Sequence, residues 1–118
     1  MRNHFLCWVR EVYKDHKDVG GGIGLFHGWF LSFVIHWYKP DVVIESGAHM
    51  GFGTRFIRRA LGDSKRIIVV SPETPSGYID KRPDSVYFVG KDFKDFTEID
   101  WDSLVPDKSR ALIFFDDH

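Results

Sequence analysis

The sequence predicts an α/β fold with a doubly wound parallel sheet. Four apolar runs are continuous rather than alternating, which is typical of strands that are covered on both faces. Segments of helical or irregular character separate these runs, so strands and crossovers alternate along the chain. A turn rich in glycine follows the first run and leads into a helix, as expected where a strand ends and its crossover begins. The predicted strands are residues 42–44, 67–70, 86–89 and 111–115.

Two helices and a glycine-rich loop are predicted before the first strand. Residues 18–24 contain three consecutive glycines and form the loop. A helix from about residue 25 to 38 follows and ends before Pro40; it is apolar nearly all round, so we expect it to be buried on more than one side. Apolar residues at helical spacing indicate a first helix at Phe5, Trp8, Val9 and Val12. The second helix carries aromatic residues at the same spacing, which we expect to lie in the core: Phe26, Trp29, Phe30, Phe33 and Trp37.

The connections between the strands differ in character. Residues 52–61 have the pattern of an amphipathic helix, residues 72–85 are rich in Pro, Gly and Asp and look mostly irregular, and a shorter helix is expected around residues 97–104. We expect the strand order 3-2-1-4, with right-handed crossovers and a ligand cleft beyond the carboxyl ends of strands 1 and 4. A solvated helix face is expected at Arg55, Arg58 and Arg59, and satisfied core histidines at His27 and His36.

Length and composition limit the classes of function. The 118 residues suffice for one domain, in which residues 1–40 form an N-terminal helical part and residues 41–118 a nucleotide-binding half. A net charge of −1 argues against a partner that is a nucleic acid or a membrane surface. No run reaches the roughly 18 apolar residues of a membrane span. The single cysteine, Cys7, favours a reduced, cytoplasmic setting.

Residues 39–54 (KPDVVIESGAHMGFGT) resemble motif I of class I S-adenosylmethionine-dependent methyltransferases. More narrowly, the pattern is similar to the catechol O-methyltransferase-like and cephalosporin-hydroxylase-like branch. The terminal residues 114–118 (FFDDH) resemble the end of that branch's fourth strand. The resemblance spans roughly residues 18–118. It implies a Rossmann-like sheet that is truncated after the fourth strand, as in the N-terminal part of a longer fold.

The resemblance also implies roles for individual residues. An aspartate at the end of the fourth strand, Asp116 or Asp117, would hold Mg²⁺ and so position a substrate oxygen. Asp92 falls where such enzymes contact adenine. Ser71 replaces the acid that usually grips the ribose hydroxyls, and Glu73 follows two residues later. The implied cofactor-binding residues are Glu45, Gly47, Ala48, Gly51, Ser71, Glu73 and Asp92.

Three functions are compatible with these patterns. The first is an S-adenosylmethionine-binding domain that transfers a methyl group to a hydroxyl of a small molecule or sugar. The second is a non-catalytic binding or interaction domain that keeps half of the fold, which the replacement at Ser71 favours. The third is a dinucleotide-binding domain, although the glycine spacing differs from G-x-G-x-x-G. In each case the fourth strand is expected to be an exposed apolar edge that invites self-association.

Overall fold

The computed structural model describes residues 25–116 and the isolated residue Cys7. The described part is an α/β unit with a four-stranded sheet, all of whose strands run parallel in the order β3-β2-β1-β4. The predicted fold class and strand order are therefore confirmed. The strands are β1 (Val42–Ser46), β2 (Arg66–Ser71), β3 (Val86–Val89) and β4 (Ala111–Phe115).

The helices lie close to the predicted positions. Helix α1 (Leu25–Tyr38) precedes β1, and helix α2 (Phe52–Leu61) connects β1 to β2. The connection from β2 to β3 has no regular element, as its composition indicates. Two 3₁₀ turns, Gly90–Asp92 and Phe96–Glu98, and the short helix α3 (Trp101–Leu104) connect β3 to β4.

Alternate residues of the central strands face two separate cores. Val43 belongs to the core beneath helices α1 and α2, where it packs with Phe56, Ile57 and Ile67. Val42, Ile44 and Ile68 face the other side, where the core is completed by Ile99 and by apolar residues of the β3–β4 connection. Because both faces are covered, β1 and β2 are apolar without interruption, which is the pattern that the sequence displays.

Helix α1 is not buried on more than one side, and this prediction is wrong. Trp29, Leu31 and Ile35 are buried against α2 and the sheet. The other aromatic residues of the expected core stripe are exposed: Phe26 by 62%, Phe30 by 56%, Phe33 by 41% and Trp37 by 76%. His27 and His36 are exposed as well, rather than core histidines. The physical reason is that only α2 and the sheet pack on α1 within the described part, so apolar residues all round the helix exceed the surface available to cover them.

The arginines of α2 are also not all solvated. Only 11% of the Arg58 side chain is exposed, and the guanidinium group pairs with the buried carboxylate of Asp80 at 2.8 Å. Arg59 is exposed as predicted, and Arg55 is half-buried. A helix pattern places Arg58 on the polar face, but it does not reveal that the irregular β2–β3 connection returns to cover that face.

Strand β4 forms one edge of the sheet, as predicted. Ile113 is 47% exposed and Phe115 is 63% exposed on the face opposite α1 and α2. Within residues 25–116, no helix has the length and apolar character needed to cross a membrane. The predicted first helix and the loop at residues 18–24 lie outside the described residues, as do Asp117 and His118; Cys7 itself is helical and exposed.

Candidate functional site

A cleft opens at the carboxyl ends of the strands, where the strand order reverses between β1 and β4. Two backbone hydrogen bonds join the strand tips at this point. The amide of Gly47 donates to the carbonyl of Val70 at 2.9 Å, and the amide of Asp116 donates to the carbonyl of Ser46 at 2.8 Å. These bonds continue the β1–β2 and β1–β4 ladders by one step, so the residues that follow the three strands meet at the same edge. This is the switch point at which open α/β sheets bind ligands.

The cleft has a volume of about 470 Å³, within the range of about 300–1,000 Å³ that is usual for small-molecule sites. It brings together four of the residues that the sequence predicts for a site, Gly47, Ser71, Glu73 and Asp116. Their elements are far apart in sequence, and only the parallel sheet places them side by side. The other lining residues are Ser46, His49, Val70, Pro72, Phe93, Asp95 and Phe96.

The charged side chains that line the cleft are mainly acidic. Glu73, Asp95 and Asp116 contribute three carboxylates. Among the described residues that line the cleft there is no lysine or arginine, and His49 is the one side chain able to carry a positive charge. The cleft is therefore suited to a ligand that carries positive charge rather than to a phosphate-rich one.

Two aromatic rings, those of Phe93 and Phe96, line the cleft. The ring of Phe96 packs against the rings of Trp101, at 5.2 Å between centroids, and Phe115, at 5.6 Å. Phe93 is 42% exposed. A flat apolar surface of this kind suits a heteroaromatic ring.

Glu45 does not line the cleft; it is fully buried below it, on the α1–α2 face of β1. The hydroxyl of Thr54 donates to its Oε2, whereas no described residue hydrogen-bonds to its Oε1. Gly53 lies next to this carboxyl, and a Cβ there would displace Oε1. Burial raises the pKa of Glu45 from 4.5 to about 7, the Thr54 hydrogen bond lowers it in part, and the charge of Asp116 adds to the rise.

Ala48 and Gly51 of the turn also contact other parts of the protein rather than the cleft. Ala48 is 4% exposed and belongs to the core under α1 and α2. Gly51 has a positive φ of 92°, and a Cβ there would overlap the carbonyl oxygen of Tyr78. The space in front of Gly51 is thus occupied by the backbone of the β2–β3 connection. Gly47, with a φ of 85°, is the glycine of the turn that faces the cleft.

Asp92 and the predicted metal ligands are placed differently. Asp92 lies in the first 3₁₀ turn after β3, where it is exposed and is not among the lining residues; Asp95 stands in the cleft instead. Among the residues that the structure describes, no three His, Cys, Asp or Glu side chains come together as a metal site. Asp116 is in the cleft, and Asp117 lies outside the described residues.

Three lining residues that follow β3, Phe93, Asp95 and Phe96, were not predicted from the sequence. Phe93, Asp95 and Phe96 reach the cleft because the residues after any strand of a parallel sheet emerge at the same edge. The sequence FKDF at residues 93–96, three residues after the third predicted strand, carried that signal. His49 also lines the cleft, with a left-handed backbone at φ 46°.

Comparison of the chain with protein-family models, with curated proteins and with solved structures finds no match. The geometry and the charges of the cleft are therefore the observations from which a function can be inferred.

Proposed function

We propose that this chain binds S-adenosylmethionine in the cleft and acts as a methyltransferase on a hydroxyl group of a small molecule or sugar. The observation that carries the proposal is an acidic cleft, lined also by two aromatic rings, at the switch point of a parallel sheet. The resemblance of residues 39–54 to motif I of class I methyltransferases agrees with that position.

The charge of the cleft supports S-adenosylmethionine over a dinucleotide. S-adenosylmethionine carries a sulfonium and an ammonium group against a single carboxylate, whereas a dinucleotide carries an anionic pyrophosphate. The three carboxylates of Glu73, Asp95 and Asp116 attract the first and repel the second. A dinucleotide site would instead be expected to offer cationic or backbone N–H donors to the phosphates.

Individual residues suit particular parts of this cofactor. Glu73 follows the end of β2, so its carboxylate can accept hydrogen bonds from the ribose hydroxyls in place of the acid that Ser71 replaces. Phe93 and Phe96 offer a surface for the adenine ring. Asp116 lies beside the tip of β1, since its amide donates to the carbonyl of Ser46, and its carboxylate would complement positive charge on the methionine part.

The bound cofactor would supply an electrophilic methyl group on its sulfonium sulfur. The contribution of the chain is then to hold the acceptor oxygen in line with that methyl group and to keep the reacting atoms close together.

Thermal melting with S-adenosylhomocysteine tests the proposal. At about one hundred times its Kd, this ligand is expected to stabilise the chain by roughly 2.7 kcal/mol. Glu73→Gln should weaken binding at least about tenfold, because a charge-assisted hydrogen bond contributes about 1.5–3 kcal/mol. Asp107→Asn, an exposed carboxylate outside the cleft, is the matched control and should bind as the unchanged chain does.

Two results would contradict the proposal. A shift with NAD⁺ and none with S-adenosylhomocysteine would favour the dinucleotide-binding function. A cooperative melt that neither ligand changes would favour a non-catalytic binding domain.

We also infer that the chain associates with itself through the edge strand β4. The strand ALIFF contains no charge and no proline, which are among the usual protections of sheet edges. Ile113→Lys should therefore shift the sedimentation coefficient from that of an oligomer to that of a monomer. Ile79→Lys, at a residue that is similarly exposed (42% against 47%) but lies outside any strand, should leave the oligomer unchanged. A monomeric unchanged chain would overturn the inference.

A further inference from the structure

Residues 75–80 of the β2–β3 connection, here called the strap, lie directly on residues 47–51, here called the glycine turn. The amides of Gly77 and Tyr78 both donate to the carbonyl oxygen of Met50, each at 2.9 Å. The carbonyl of Tyr78 occupies the position that a Cβ of Gly51 would take. The closeness is mutual, because a Cβ at Gly77 would come within 2.7 Å of the Met50 carbonyl oxygen.

The far end of the strap is fixed by the side chain of Asp80, which is buried. Arg58 donates to both of its carboxylate oxygens, at 3.0 and 2.8 Å. Ser85 and Tyr78 also donate to this carboxylate, and the amide of Asp80 donates to the hydroxyl of Tyr87 at 2.7 Å. Burial alone would raise the pKa of Asp80, but the hydrogen bonds from Arg58 and Ser85 outweigh it and hold the pKa below its usual range.

The two residues that the strap contacts, Gly51 and Arg58, both belong to helix α2 or its N-terminal cap. Gly51 caps its N-terminus, and Arg58 lies about two turns further along the same helix. Arg58 is fixed in turn by hydrogen bonds to the carbonyls of Gly62 and Lys65, at 2.7 and 2.8 Å. The strap therefore braces the glycine turn against the helix that follows it.

We propose that the strap is a positioning element for the cleft: by fixing Met50 and Gly51, it holds Gly47 and His49 in the conformation in which they line the ligand site. Its part in ligand binding rests on the proposed function. Glycine is required at residue 51 by the strap, and the affinity of the cleft depends on residues that do not touch the ligand.

Gly77→Ala tests the contact at an exposed residue, where an added Cβ would meet first the carbonyl oxygen of Met50 and then the ring of Phe52. The added Cβ displaces the strap from Met50, so the Kd for S-adenosylhomocysteine should rise at least threefold at a temperature well below the melting transition. Ser76→Ala, at the adjacent exposed residue, is the matched control. A rise in Kd smaller than threefold for Gly77→Ala would overturn the proposal.

A second variant acts from the other end of the strap. Asp80→Asn keeps the shape of the side chain but removes the charge that Arg58 pairs with, and it should weaken binding in the same sense. Asp84→Asn, which removes a carboxylate from the half-exposed pair with Arg82, should not. Equal Kd values for Asp80→Asn and Asp84→Asn would contradict a positioning role.

Hydrogen exchange separates failure of the proposal from failure of the proposed function. The amide of Gly51 donates to Ala48 within the turn, at 2.7 Å. If the unchanged chain does not bind S-adenosylhomocysteine, the proposed function is wrong, and the strap is judged by this amide alone. Its exchange should accelerate in Gly77→Ala and not in Ser76→Ala; equal protection in both variants would show that the strap does not hold the turn.

Discussion

Replacing Gly51 with alanine is expected to lower the free energy of unfolding by about 3 kcal/mol or more. The residue has a φ of 92°, and a non-glycine residue in such a conformation costs of order 1–3 kcal/mol. The added Cβ would also overlap the carbonyl oxygen of Tyr78, so the strap must move and its two hydrogen bonds to Met50 are lost. Urea denaturation of the two chains measures the difference.

Gly62→Ala is the control for this prediction. Gly62 also has a positive φ, 66°, at the end of helix α2, but a Cβ there would meet no atom within 4 Å. With a ψ of −157°, its backbone is at least as unfavourable for alanine as that of Gly51. If Gly51→Ala lowers the free energy of unfolding by more than Gly62→Ala does, the difference is therefore due to the contact with Tyr78. A loss in Gly51→Ala below about 1 kcal/mol, the lower end of the backbone cost alone, would mean that the strap yields without cost.

The stability of the chain is expected to fall by roughly 3 kcal/mol between about pH 4.5 and pH 7 because of Glu45 alone. Its pKa is raised from 4.5 in the unfolded chain to about 7 in the fold, chiefly by burial. Below pH 4.5 the carboxyl is protonated in both states, so the full stability is present. As the pH rises, the unfolded chain ionises first and is favoured, and the loss is complete once the pH has passed the folded pKa.

Glu45→Gln should remove this dependence. The glutamine keeps the size of the side chain and an oxygen that can accept from Thr54, but it does not ionise. Unfolding free energies of both chains at several pH values between 4 and 8 should diverge as the pH rises, by roughly 3 kcal/mol in favour of Glu45→Gln, since only the unchanged chain loses stability. Asp107→Asn, in which an exposed carboxylate is removed, should run parallel to the unchanged chain. Parallel curves for Glu45→Gln would show that the fold does not raise the pKa of Glu45.

The strands and their order were predictable because continuous apolar runs have few alternatives in a chain of this length. Val43 and Ile67 must be covered on one face and Ile44 and Ile68 on the other, which requires a parallel sheet between two layers. The burial of α1 was not predictable in the same way. A residue such as Trp37 is apolar in either environment, and its exposure depends on which elements pack on the helix.

The site was predictable in part for a related reason. Topology places Gly47, Ser71 and Asp116 at one edge once the strands are known. The positions of Glu45 and Gly51 depend on contacts with Thr54 and Tyr78 that no local pattern encodes. A glycine next to a predicted cofactor site was thus assigned to the ligand, although the neighbouring backbone is what requires it.

The strand order also governs when the cleft can form during folding. The neighbours of β1 in the sheet are β2, which follows after one helix, and β4, whose Ala111 pairs with Val42 across most of the described chain. Local pairs form early, whereas such distant ones must first overcome the entropy of closing a long loop. Asp116 reaches Ser46 only when β4 has docked. The acidic wall of the cleft is therefore among the last parts of the molecule to assemble, and an incompletely folded chain would have the glycine turn without the carboxylate that faces it.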